Sequence, residues 1–244
     1  MSYVPVVDIS ADPGVVGAEL DEICRTAGFF QVTRHGVPEG VAELAWTTAT
    51  RFFDLPVEDK MSVARPAPDY PYGYIPLAGE SLSQSVVGAA PPDLKEVFNA
   101  LRAINYPARD AAPLPGQFRA DAHTDYGTLT ILRQDDVGGL EVLDPGGRWA
   151  GVEPVPGAFV INLGDLMARW TNDRWRSTLH RVVDPPDPAA AAARRQSMPY
   201  FQNADWSAAV SCLPTCLDPG EKPRYEPVLA GPHLMGKFRR SVSL

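Results

Sequence analysis

The sequence predicts a mainly β protein whose helices are gathered in its N-terminal third. Three observations carry that prediction. From Leu101 onward, short β-rich runs recur at close intervals between Pro- and Gly-bearing turns, the pattern of a sandwich or barrel. Two amphipathic stretches with helical spacing lie ahead of them, before residue 54. No linker-like change in composition divides the two parts, and 244 residues, 45% of them hydrophobic, suffice for one well-buried core. The expectation is a single domain over 1–244, with a helical and loop region at 1–100 and a β core at 101–244.

Val4 to Ile9 is rich in β-branched residues and reads as a first strand. Asp12-Pro13 then opens a helix, Asp as cap and Pro in the first turn. Val16, Leu20, Ile23, Cys24 and Ala27 follow at helical spacing, and Gly28 ends the helix. Phe29 to Val32 is a short strand. Gly40 to Phe53 is a second helix with Val41, Leu44, Ala45 and Phe52 on one face, closed before Pro56. Residues 64–93, rich in Pro, Gly and Ser, read as a loop and a mobile cover. Thr128–Leu132, Leu140–Leu143, Ala158–Asn162 and Thr178–Val183 read as strands, with turns at Asp144–Gly147 and Val155–Gly157. Asp165–Thr171 predicts one or two helical turns, Pro185–Ala193 a surface loop, and Pro232–Ser241 a short terminal helix.

Charge and composition exclude some partners. A formal net charge of -8 repels a phosphate backbone, so nucleic acid is not expected. No run approaches the length of a membrane span, and no basic-then-apolar leader is visible, so neither membrane insertion nor export is expected. Cys24, Cys212 and Cys216 make an odd, low count that suits a reducing compartment. Cys212 and Cys216 form a lone C-x3-C and read as ordinary thiols. The expected setting is cytoplasmic.

The sharpest chemical feature is His123-Thr124-Asp125. On a strand, residues i and i+2 share a face, so imidazole and carboxylate would converge. The chain has four histidines, and His180, in a predicted strand, is the best-placed third ligand. His35 lies outside the β region and His233 near the C-terminus. Two histidines and one carboxylate leave open positions on a metal, the facial arrangement of non-haem Fe(II) oxygenases. By spacing alone the pair is also a common coincidence, and a buried histidine is more often hydrogen-bonded than metal-bound. Arg195-Gln196-Ser197 repeats the i, i+2 spacing. A guanidinium turned into a barrel needs an anion, and a carboxylate matches its planar fork. A structural salt bridge is the competing reading.

Several motifs in order then resemble one family. HTDYGTLTIL (123–132), QDDVGGLEV (134–142), PVPGAFVINLGDLMARWTND (154–173), STLHRVV (177–183) and RQSMPYF (195–201) resemble the isopenicillin N synthase-like 2-oxoglutarate/Fe(II) dioxygenases. VPVVDIS (4–10), GFFQVTRHGVP (28–38), FFDLPVEDK (52–60) and DLKEVFN (93–99) agree in the N-terminal half, so the likeness covers nearly the whole chain. It implies a double-stranded β-helix, a jelly-roll and cupin-like core, with N-terminal helices packed on it. It implies Fe(II) held by His123, Asp125 and His180, and 2-oxoglutarate held through its distal carboxylate by Arg195 and Ser197. Tyr106 matches a position that helps hold that carboxylate, Asn162 one near the metal, and Phe201 one that packs on substrate. Dioxygen is the oxidant, and the reaction implied is hydroxylation, desaturation or ring closure of a small molecule of specialised metabolism.

Two departures stand out. Only Asn99 to Ile104 separate Phe98 from Asn105, where family members carry a helical layer. Either the layer is lost or a segment is missing from this sequence; a true loss would expose one face of the core, to be covered by a homodimer partner or by the 64–93 loop. The Asp184–Arg194 segment is also somewhat long, so a slipped register would make Arg194 the anchor in place of Arg195. The alternatives are an isopenicillin N synthase-type oxidase that does not use 2-oxoglutarate and a non-catalytic jelly-roll binding protein.

Overall fold

The computed structural model describes residues 3–67, 70–82, 91–100, 102–109 and 113–242. Strand β1 (Val6–Asp8) leads into helix α1 (Pro13–Thr26). Asp12 caps α1 by accepting from the backbone N–H groups of Gly14 at 2.9 Å and Val15 at 3.2 Å, which are otherwise orphan donors. At Gly28 the chain turns at φ +65°, and a Cβ there would lie 2.3 Å from the Arg176 carbonyl oxygen. Only glycine fits both constraints. The chain then enters β2 (Phe29–Thr33), pairing parallel to β1.

The main sheet has eight strands in the order β1-β2-β10-β7-β12-β5-β4-β3. Its later members are β3 (Gly73–Ile75), β4 (Glu96–Asn99), β5 (Ala103–Tyr106), β7 (Leu129–Gln134), β10 (Phe159–Leu163) and β12 (Arg195–Gln202). The second sheet, β6-β11-β8-β9, is built from β6 (Ala120–His123), β8 (Leu140–Leu143), β9 (Trp149–Gly151) and β11 (His180–Val182). Between the sheets, Phe29, Val97, Ile104 and Val160 of one meet Ala120, Leu140, Val142 and Val182 of the other. Burying each such aliphatic side chain favours folding by roughly 1.5–3 kcal/mol. On the outer face of the main sheet, Val7, Phe30, Val32 and Ile161 pack against Val16, Ile23 and Cys24 of α1. Two facing sheets with a helix outside form the double-stranded β-helix that the sequence motifs implied.

Several expectations change. The first strand is shorter than Val4–Ile9. Helix α2 (Glu39–Phe53) does form, but Val41 and Leu44 are 60% and 68% exposed. It packs instead through Ala49, Phe52 and Phe53 onto Tyr74, Ala103 and Phe98; the apolar periodicity was broad enough to suggest the wrong face. It is followed by α3 (Val57–Met61). The predicted 64–93 loop contains β3, which pairs with β4; residues 68–69 and 83–90 lie outside the described part. The main sheet also draws β1 to β4 from the first hundred residues. The predicted 185–193 loop contains a short helix, α5 (Pro188–Ala192), capped by Asp187. Helical turns at α4 (Asp165–Trp170) and a terminal α6 (Ala230–Val242) agree with the sequence reading. A small pair, β13 (Ala209–Val210) with β14 (Val228–Leu229), precedes α6. The cysteines are all free, and no helix among the described residues is long and apolar enough to cross a membrane.

Candidate active site

Strand register builds the first part of the site. His123 ends β6 and His180 begins β11, and the two are directly opposite in the antiparallel pair. Their rings therefore lie close, centroids 4.3 Å apart. Asp125 is not on the strand with His123, as the i, i+2 argument supposed. It follows the end of β6, in the turn that leads to β7. The turn is fixed from below: Asp165 N–H donates to the Asp125 carbonyl at 2.8 Å, and Gly164 is packed so tightly that a Cβ would sit 2.3 Å from the Gly127 carbonyl oxygen.

Local hydrogen bonds set the free atoms. His123 Nδ1 lies 2.7 Å from the Asp121 carbonyl and His180 Nδ1 lies 3.1 Å from the Thr178 carbonyl. A carbonyl can only accept, so each Nδ1 carries a proton, and the neutral tautomer this selects presents its lone pair at Nε2. Asp125 Oδ2 accepts from Asn162 Nδ2 at 2.7 Å and from the Thr130 hydroxyl, which leaves Oδ1 to face the imidazoles. His123 Nε2 and His180 Nε2 lie 4.0 and 3.8 Å from that oxygen. One ligand atom from each of the three residues falls within 4.8 Å of the others. This is a donor set of two neutral nitrogens and one carboxylate oxygen, oriented by carbonyl, amide and hydroxyl partners.

Electrostatics favour the ligand forms. Burial, followed by the neighbouring His180, lowers the His123 pKa to about 3, so the ring is neutral at pH 7. Burial pushes the Asp125 carboxyl up, but His180, His123 and the donors Thr130 and Asn162 outweigh it and hold the carboxyl below its usual range.

The second constellation lies in the same cavity. Arg195 and Ser197 are on β12, both buried at 0% and 2%. Arg195 Nε donates to the Gly138 carbonyl at 2.8 Å and Nη2 to Gln134 Oε1 at 3.0 Å. Its Nη1 is buried with no hydrogen-bond partner. No ion pair forms with Arg195 among the described residues, so the salt-bridge reading does not hold. Tyr106, opposite Arg195 across β5 and β12, places its ring 5.0 Å from the guanidinium. Arg194 points elsewhere, to Asn105 at 2.6 Å and Asp54 at 2.5 Å. The register therefore has not slipped, and α5 absorbs the extra length.

His123, Asp125, His180, Arg195, Ser197, Tyr106, Asn162 and Phe201 all line one cavity of about 380 Å³. Asn162 donates to Asp125 Oδ2 and lines the same cavity. Sequence reasoning missed Asp165, which accepts from Thr124 Oγ1 at 3.1 Å, Ser177 Oγ at 2.7 Å and Lys237 Nζ at 2.6 Å. It thereby ties the residue between His123 and Asp125 to the terminal helix. It also missed Glu80, Lys95 and Arg102, charged residues on the cavity wall. Nothing in their spacing distinguishes them; they meet through pairing of β3, β4 and β5.

Two family models match the chain. The 2OG-Fe(II) oxygenase superfamily matches residues 98–204, and the model described as non-haem dioxygenase in morphine synthesis N-terminal matches residues 4–117. A 2-oxoglutarate-Fe(II) type oxidoreductase, hxnY, of Emericella nidulans is 29% identical, covering 97% of this chain and 90% of its own length. That alignment runs over 321 residues, so the relative carries segments with no counterpart in this chain of 244. The 2-oxoglutarate-dependent dioxygenase DAO of Oryza sativa subsp. indica is 31% identical over 92% of this chain and 90% of its own. Among solved structures, a full-length Neurospora crassa protein in complex with alpha-KG superposes with a TM-score of 0.84 at 26% identity, over 96% of this chain and 95% of that one.

Proposed function

Since this chain belongs to the 2OG-Fe(II) oxygenase superfamily and is a 2-oxoglutarate-dependent Fe(II) dioxygenase, we propose that His123, Asp125 and His180 hold its iron and that Arg195 and Ser197 hold the distal carboxylate of 2-oxoglutarate. The single observation that carries the reading is the orphaned Nη1 of Arg195. A guanidinium at 0% exposure with an unused N–H, and with no carboxylate among the described residues within ion-pair distance, is built for an anion that arrives. It shares one cavity with a donor set suited to Fe(II).

Each residue has a defined task. His123 and His180 present Nε2 lone pairs, because their Nδ1 protons are committed to backbone carbonyls. Asp125 presents Oδ1, because Asn162 and Thr130 occupy Oδ2. Arg195 fixes one end of the cosubstrate, with the Tyr106 ring against its guanidinium. Phe29, Leu132, Leu140 and Val182 give the cavity apolar walls that exclude water. When bound, Fe(II) and 2-oxoglutarate supply an oxidative decarboxylation by dioxygen, to succinate and carbon dioxide, coupled to oxidation of a substrate C–H bond. The substrate is a small molecule, and we assign the enzyme to specialised metabolism. Neither 2-oxoglutarate-independent oxidation nor a purely binding role gains support from the relatives.

The test is cosubstrate binding. Arg195→Gln is expected to weaken 2-oxoglutarate binding to the anaerobic Fe(II) enzyme by about 10- to 150-fold, the loss of one charge-assisted contact. Fe(II) affinity should stay within about twofold. Wild-type cosubstrate affinity in this variant, by calorimetry, would falsify the assignment of Arg195.

A further inference from the structure

The cavity contains a second set of charged groups besides Arg195 and the proposed metal donors. Glu80, Lys95 and Arg102 line it beside Asn99 and Phe201. The Glu80 carboxylate is shared between Lys95 Nζ at 3.1 Å and Arg102 Nη2 at 2.7 Å. Lys95 also reaches Asp93 Oδ2 at 2.8 Å. Asp93 accepts from the backbone N–H groups of Leu82 at 3.1 Å and Asp121 at 3.0 Å as well. Burial raises the Asp93 carboxyl above its ordinary range, while Lys95 Nζ and the two backbone N–H groups all donate to it and favour the carboxylate. Burial acts on Glu80 in the same sense, but Arg102 and Lys95 prevail and hold its pKa at about 2. Burial opposes the charge on Lys95, and the two carboxylates more than restore it. On the wall, Glu80 is thus paired with both Arg102 and Lys95, and Lys95 also with Asp93, which does not itself line the cavity.

At the metal end, the two positive charges of Fe(II) and the one of Arg195 would stand against Asp125 and the two carboxylates of 2-oxoglutarate; Asp135, outside the cavity lining, also feels the Arg195 charge. No other charged side chain among the described residues lines the cavity. A charged substrate entering this space would lose its hydration and find no unmatched counter-charge among the described residues that line it.

Arg102 offers a different kind of contact. Its guanidinium lies over the Phe201 ring, 5.8 Å from the centroid. Its Nη1 is only 3.4 Å from Asn99 Oδ1, and its side chain keeps 15% exposure where its partner Glu80 has 2%. A flat cationic face with loosely used N–H groups can receive a neutral oxygen acceptor without needing a carboxylate.

Resting on the iron and cosubstrate reading above, we propose that the substrate is an uncharged molecule with a flat apolar body and a carbonyl or ether oxygen that Arg102 receives. Glu80 then sets specificity by cancelling the charge of Arg102, so that an anionic analogue is refused.

The anaerobic Fe(II)–2-oxoglutarate enzyme would be titrated calorimetrically with 2-naphthylacetamide, 2-naphthylacetate and 2-(2-naphthyl)ethylammonium, one ring in three charge states. The amide is expected to bind at least about tenfold more tightly than either ion. Glu80→Gln is isosteric and leaves Lys95 on Asp93, so it gives the wall one excess positive charge. In that variant the acetate should gain at least about tenfold relative to the amide. Arg102→Lys keeps a cation for Glu80 but removes the flat face, and should weaken amide binding without favouring either ion. An ion binding as tightly as the amide in the wild type, no measurable binding of any of the three, or an unchanged acetate-to-amide ratio in Glu80→Gln would each overturn the proposal. Binding of 2-oxoglutarate to the Fe(II) enzyme is measured alongside. Its absence sinks the cosubstrate reading, whereas its presence with a preference for a charged ring sinks this one alone.

Discussion

At the scale of single residues, the site depends as much on what holds the ligands as on the ligands. Asn162 donates to Asp125 Oδ2 and thereby decides which carboxylate oxygen faces the imidazoles. Asn162→Ala is expected to lower Fe(II) affinity by about 10- to 100-fold with the fold intact, the usual cost of losing an orienting partner. Anaerobic Fe(II) titration checks it; an unchanged affinity means that Thr130 alone orients the carboxylate. The position was legible in the sequence as part of the INLGD run, but its partner was not, because Asn162 and Asp125 are 37 residues apart. Only the antiparallel pairing of β10 with β7, which brings Asn162 opposite Thr130, sets both donors on the same oxygen.

At the scale of elements, turns and registers place the chemistry. Gly28 links α1 to β2 and lies against the Arg176–Thr178 segment that leads into β11. Gly28→Ala should lower stability by more than about 1 kcal/mol, because the left-handed backbone is strained by a side chain and the added carbon meets a carbonyl. Gly36→Ala shares the positive φ but meets nothing within 4 Å. Thermal melts of the two variants separate the cost of the backbone from that of the close approach, and equal losses would remove the contact as a cause. Helix α2 teaches the converse. Its apolar residues are periodic, yet Val41 and Leu44 face outward. A helix's moment gives a direction on its own axis; what packs there depends on which strands arrive, and here Tyr74, Phe98 and Ala103 meet Phe52 and Phe53.

At the scale of the whole molecule, folding and the site are linked through metal and charge. The three ligands come from the end of β6, the turn after it and the start of β11, so the donor set exists only in the folded chain. Fe(II) added anaerobically should raise the melting temperature of the wild type, and not that of His123→Ala. An equal rise in both would place the ion elsewhere. The buried charges set acid stability. Glu80 has a folded pKa of about 2, well below its ordinary value of 4.5. A depressed carboxyl contributes stability that is fully present above the unfolded pKa and is lost as pH falls through the folded one. Glu80's share, on the order of a few kcal/mol, should therefore fade between about pH 4.5 and about pH 2. Glu80→Gln should be less stable at pH 7 and lose less across that window, as measured by denaturant midpoints against pH; parallel profiles would remove Glu80 from the account. What the sequence alone determined is the set of chemical parts: the His123, Asp125 and His180 donors, the Arg195–Ser197 pair, the β-rich core and the capped α1. These are local, fixed by residue type, spacing and motif order. What only the tertiary structure decided is their convergence. It put Asp125 in a turn instead of on a strand, left Arg195 Nη1 without a partner, turned Arg194 away, and brought Glu80, Asp93, Lys95 and Arg102 into one charged cluster. Those outcomes depend on strand register and burial, and a buried charge acquires its meaning from the partners that distant strands bring to it.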